Sequence, residues 1–113
     1  VFCSKKQEVP DPEELTVLAT GFIEMLEKED FSNAESMFDK TMKKALPREK
    51  LEQTWKGLIE KVGPFLKQRG VRTEKMKQYI VVYVTCEFEK TSLDAKVVFS
   101  RKKEISGLFF VPI

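Results

Sequence analysis

The sequence predicts an α+β domain in which three N-terminal helices pack on one face of a curved antiparallel sheet of three to four strands. Two observations carry that expectation. Apolar residues recur at helical spacing from Leu15 to Val62, and from Val71 onward they recur at the alternating spacing of strands. The connections between the later apolar runs are short and polar, which permits hairpins and rules out the long crossovers that parallel strands need. Helices followed by strands place the helices together on one side of the sheet and leave the other side free.

At 113 residues the chain has the length of one domain with a real core. Residues 1–10 form a disordered or extended polar tail in this reading, and residues 11–113 form the domain. Asp11 and Pro12 open the first helix as N-cap and first helical residue, with Glu14 closing a capping box. Leu15, Leu18, Ala19, Phe22, Ile23 and Leu26 make one continuous stripe that ends near Lys28. Gly21 interrupts good helix chemistry and is expected to mark a close packing contact. Ser32 and Glu35 form a second capping box, predicting a short second helix that carries Ala34, Met37 and Phe38, with Asp39 near its end. Phe31, just before that cap, is placed to pack back over the first turn. Pro47 starts a third helix with the stripe Leu51, Trp55, Leu58, Ile59 and Val62, stopped by Gly63-Pro64.

The stretch Lys75 to Phe88 is the longest run of β-branched and aromatic residues and reads as one long strand. Alternation gives it two faces. Met76, Ile80, Val82, Val84, Cys86 and Phe88 form the core-seeking set, with Gln78 its one polar member. Lys77, Tyr79, Val81, Tyr83, Thr85 and Glu87 form the other. Strands over Leu93 to Ser100 and Ile105 to Val111 complete the meander, and Val71 to Glu74 supply a short leading strand.

Composition narrows the functions. Twenty Lys and Arg against 18 Asp and Glu leave a net charge of +2, with the signs interspersed, so nothing points to nucleic acid or an anionic membrane. No apolar stretch approaches the ~20 residues a transmembrane helix needs. The chain holds no histidine, which removes the commonest general base, the usual nucleophile triads and most zinc sites. Its five glycines are scattered and build no phosphate loop, so no cofactor is expected. Cys3 and Cys86 are too few for a disulfide framework; Cys86 belongs to the apolar face, where a free thiol acts as a small hydrophobe. Cys3 follows the bulky Phe2, so it is read as part of a frayed terminus rather than as a lipid-bearing cysteine. A start other than Met, with a polar head after Cys3, suits an exported chain trimmed of its signal, although a cytoplasmic chain fits the composition equally.

Several motifs then resemble an uncharacterised prokaryotic domain family: Glu29-Asp30-Phe31 with Ala34, Phe38 and Asp39; Leu46-Pro47 with Leu51 and Trp55; Gly63-Pro64-Phe65; and the closing Ile105-x-Gly107-Leu108-Phe109-Phe110-Val111-Pro112. That family is similar to the cone-shaped α+β superfamily typified by nuclear transport factor two, ketosteroid isomerase and polyketide cyclases. The resemblance runs from about Pro12 to Pro112. It implies a conical pocket between sheet and helices and dimerisation through the sheet's outer face. It also implies occurrence alone, in exported or lipid-anchored proteins, or ahead of α/β-hydrolase domains. It implies no reaction.

The chain therefore reads as a binding or accessory domain. Trp55 and Phe65 are the candidate lining for a small apolar ligand in the cone, although Trp55 lies on a stripe that faces the core. Tyr79, Val81, Tyr83 and Val98 are the candidate interface of a homodimer formed through the sheet face, since two tyrosines among aliphatics exceed what a solvated face needs. Depending on register, either Phe109 or Leu108 with Phe110 joins them. The alternative is an isomerase or dehydratase using a pocket carboxylate, Asp39, as base; Glu87 and Glu89 read as strand-surface charges.

Overall fold

A computed structural model describes residues 11–113; the expected tail over residues 1–10, Cys3 included, lies outside the described residues. Helices α1 (Pro12–Glu27), α2 (Phe31–Ser36), α3 (Lys40–Ala45) and α4 (Arg48–Val62) precede strands β1 (Phe65–Met76), β2 (Tyr79–Phe88), β3 (Ser92–Phe99) and β4 (Ile105–Pro112). The strands form one antiparallel sheet in the order β1-β2-β3-β4. This is the meander that short connections demand, with four helices where the sequence predicts three.

Asp11 caps α1 by accepting a 3.0 Å bond from the Glu13 N–H. Glu14 pairs instead with Lys103 of the β3–β4 connection at 2.8 Å, fastening the helix start to the sheet. Leu15, Ala19, Phe22, Ile23 and Leu26 bury completely, as the stripe requires. Gly21 is not a packing contact: a Cβ added there would meet nothing within 4 Å, because the position lies away from the buried stripe.

The expected second helix is two helices. The backbone of Met37 to Asp39 leaves helical geometry to pair with the start of β4, where Ile105 N–H donates to Met37 at 2.8 Å and Asp39 N–H donates to Ile105 at 2.9 Å. Asp39 then restarts the chain as N-cap of α3. The second capping box does not form either. Asp30 holds the N-cap position, Ser32 lies inside α2, and the Glu35 carboxylate accepts from the Arg48 N–H at the start of α4 at 2.9 Å. The helix thus starts two residues earlier than expected, with Phe31 buried at its first position. Pro47 is likewise N-cap of α4 rather than its first residue, and Gly63 ends that helix at φ +88°. A Cβ at Gly63 would stand 2.7 Å from the Glu89 Cβ, so glycine is required there for space as well as for φ.

The largest correction concerns the single strand expected over Lys75 to Phe88. It is a hairpin, in which β1 ends at Met76, Lys77 and Gln78 turn, and β2 begins at Tyr79. Lys77 adopts φ +52° without being Gly or Asn, so the usual hairpin signal is missing. Met76 pairs with Tyr79 and so shares the outer face with it, while Gln78 belongs to neither face. From Ile80 to Phe88 the expected alternation holds, and Ile80, Val82, Val84, Cys86 and Phe88 are all buried under the helices. The leading strand runs from Phe65 and is far longer than Val71 to Glu74.

Candidate functional site

The outer face of the sheet is organised in rows by the pairing register. One row joins Arg72, Tyr83, Lys96 and Phe109; the next toward the hairpin tip joins Glu74, Val81, Val98 and Gly107; on the other side stand Gly70, Thr85, Asp94 and Val111. Phe109, and not Leu108 or Phe110, therefore joins the tyrosines. The bulge between Val98 and Phe99 sets that register.

Asp94 is the buried charge of this face, 3% exposed although no helix covers it. The Thr85 hydroxyl donates to Oδ1 at 2.7 Å and Arg72 Nη2 donates to Oδ2 at 2.9 Å. The Arg72 guanidinium also stacks on Tyr83, 4.3 Å from the ring centroid, and the Tyr83 hydroxyl donates to Glu74 Oε1 at 3.1 Å. That bond raises the Tyr83 pKa, since it favours the protonated phenol beside a carboxylate. Lys96 lies 5.7 Å above the Phe109 ring. The result is a connected polar and aromatic network spanning three strands.

The four expected interface residues all fall on this face, in different states. Val81 is 1% exposed within a single chain, so its burial needs no second chain. Tyr83 and Val98 are half-buried and Tyr79 is 39% exposed. Phe109 lies across Gly107, whose added Cβ would come within 3.3 Å of the ring and 3.4 Å of Val98. Phe109 itself is 54% exposed and Met76 47%, giving the face an open apolar rim. Arg72, Thr85, Asp94 and Lys96 were not among the expected site residues. A polar residue at an outward strand position reads as solvated, and only the cross-strand register brings these four together.

On the helix side, Trp55 packs against Phe65, Phe88 and Phe110 at centroid distances of 6.2, 6.0 and 6.0 Å, and Phe65 meets Phe88 edge-on at 5.6 Å. Trp55 and Phe65 are thus brought together, in contact with rings rather than across an open space. Asp39 commits both oxygens: Met42 N–H donates to Oδ1 at 2.8 Å and the Ser106 hydroxyl to Oδ2 at 2.7 Å. Among the described residues no group of three or more His, Cys, Asp or Glu is arranged to hold a metal ion. No described helix is long and apolar enough to cross a membrane.

An α+β domain with helices on one side and a networked open sheet face on the other is the class these features define. The chain belongs to the family described as protein of unknown function (DUF3887), whose model matches residues 19–108. It is also similar to the esterase EstD of Thermotoga maritima, 26% identical over 89 residues that cover 79% of this chain and 22% of that protein. The chain thus spans about a fifth of the length of that curated relative. No solved structure matches it.

Proposed function

We propose that this chain is a non-catalytic binding or accessory domain of the cone-like, nuclear transport factor two-like kind, working through the outer sheet face, with self-association as its first use. The observation that carries the reading is the combination on one open face of exposed Phe109, Tyr79 and Met76 with the ordered Arg72–Asp94–Thr85 network. Aromatic and Arg side chains are the ones enriched in interface centres, and the two outward tyrosines add rigid contact area. A two-fold interface would use this patch on both copies.

The partial match to a larger esterase supports a second form of the same reading, in which this face docks on a neighbouring catalytic domain. The isomerase alternative needs Asp39 as base, and both of its oxygens accept bonds that hold α3 and β4. A ligand at Trp55 and Phe65 needs these rings to part from each other and from Phe88 and Phe110.

Sedimentation equilibrium at high micromolar concentration tests the proposal. A dimer is expected, converted to monomer by Phe109→Ser combined with Tyr79→Ser. A strict monomer in the wild type, with no binding to an adjacent domain supplied in trans, would refute it.

A further inference from the structure

The two edges of the sheet are treated differently. β4 is covered at its start by the Met37–Asp39 segment, bonded to Ile105. β1 is tied to the helices near its beginning, where the Gln68 side chain donates to the Thr20 carbonyl at 3.1 Å. Beyond that point every residue from Arg69 to Tyr79 is exposed. The register is shifted twice before Gly70, between Phe65 and Lys67 and between Gln68 and Gly70, and is then regular to Met76. Bulges blunt an edge against stray pairing, so the first half of β1 is protected by them and the second half is not.

The hairpin shows which main-chain groups are offered. A two-residue turn closes on a hydrogen-bonded pair, here Met76 with Tyr79, and hydrogen-bonded pairs alternate with non-bonded ones along an antiparallel ladder. Arg72 and Glu74 therefore turn their N–H and C=O groups toward β2, while Val71, Thr73 and Lys75 turn theirs outward. From Phe65 to Gln78 the chain holds five cations, Lys67, Arg69, Arg72, Lys75 and Lys77, against one carboxylate, Glu74, although the whole chain is only +2. Arg69 and Arg72 pair with Glu87 and Asp94, so Lys67, Lys75 and Lys77 carry the edge's attraction for acidic groups. Charge chooses the occupant. A second copy would set one basic edge against another. A lipid surface could meet the cations but would not use a row of alternating backbone groups.

We propose that β1 is a docking edge for an extended acidic segment of a partner protein, which adds as a fifth strand beside Gly70–Met76. Its backbone pairs with Val71, Thr73 and Lys75, and its carboxylates face Lys75 and Lys77. The edge shares Arg72, Glu74 and Met76 with the outer face, but the docking groups are the outward main-chain groups of Val71, Thr73 and Lys75, so the proposal stands or falls without self-association of that face.

The test uses a fluorescein-labelled short peptide alternating valine and glutamate, with anisotropy for binding and amide-resolved hydrogen exchange for register. Micromolar binding is expected, with exchange slowed at least roughly tenfold at Val71, Thr73 and Lys75 and unchanged at Arg72 and Glu74. Thr73→Pro removes one outward N–H without breaking the ladder to β2 and should weaken binding at least roughly tenfold. Lys75→Glu, which leaves the backbone intact, should weaken it too and admit a valine–lysine peptide. The proposal is overturned by no peptide binding at about 1 mM, by equal binding of a backbone-methylated peptide, or by unslowed exchange at the three amides. It is equally overturned by binding only to phosphatidylserine vesicles, or by a dimer of the protein alone that Thr73→Pro dissociates.

Discussion

Trp55 illustrates how one side chain organises its surroundings. It comes from α4, yet its contacts come from β1, β2 and β4 through Phe65, Phe88 and Phe110, so it joins the last helix to three of the four strands. Truncating it removes ring contacts with all three together. Trp55→Ala should cost about 3–5 kcal/mol, read by chemical denaturation; an unchanged midpoint would mean that the indole is not core. Cys86 makes a second prediction from its depth. Burial, reinforced by the charge of Asp94, pushes its thiol up from 9.0 to about 12. Below pH 9 the thiol is protonated whether the chain is folded or not. Between about 9 and 12 the unfolded chain releases a proton that the folded chain keeps, so stability falls as pH rises, by up to ~1.4 kcal/mol per pH unit. Cys86→Ala should lack this component, and equal pH slopes for the two proteins over that range would refute it. Asp94 shows the converse arrangement, a charge kept on the helix-free face by Arg72 and Thr85. Arg72→Ala leaves that carboxylate with one partner and should destabilise the fold by about 1–3 kcal/mol, a modest figure because Arg72 itself is 60% exposed.

Several helix ends are tied to something distant in sequence, Glu14 of α1 to Lys103, Glu35 of α2 to Arg48 and Val62 of α4 to the Lys90 N–H. Asp39 caps α3 and accepts from Ser106 on β4, so Asp39→Ala should cost about 1–2 kcal/mol. The smaller loss expected of an isolated cap would show that the Ser106 bond adds nothing. Gly21 offers the opposite case. It sits inside α1 with open space around it, and Gly21→Ala should raise stability by up to ~1 kcal/mol in thermal or denaturant unfolding. A loss would reveal a contact that the helix does not have here. The tip of the β1–β2 hairpin has the least cover, every residue from Arg69 to Tyr79 being exposed, in a molecule that extends 53 Å along one axis and 20 Å along another. The exposed half of β1 is where an added strand would bind.

At the scale of the whole molecule, one side of the sheet is committed to the core and the other is not. Leu15, Phe22, Phe38, Leu51 and Trp55 from the helical half close over Ile80, Val82, Val84, Ala95, Val97 and Phe99. The α+β class, the helices on one face and the inward set from Ile80 to Phe88 were all legible, because periodicity of 3.6 or 2 is written in the spacing of neighbours. The turn at Lys77 and Gln78 was not, since the φ there is imposed on a lysine by the closing strands rather than invited by glycine. Nor was the break between α2 and α3, which exists because the edge of β4 recruits Met37 and Asp39. The candidate face was half legible. Tyr79, Val81 and Tyr83 could be assigned to one side by alternation, whereas Val98, Arg72, Asp94 and Phe109 join them only through register. By itself the sequence determined which residues seek burial and in what kind of element, since those preferences act over a few residues. Tertiary structure alone decided where the long β segment folds back, which charges meet across strands and which edge stays open, because each depends on contacts between residues far apart in the chain.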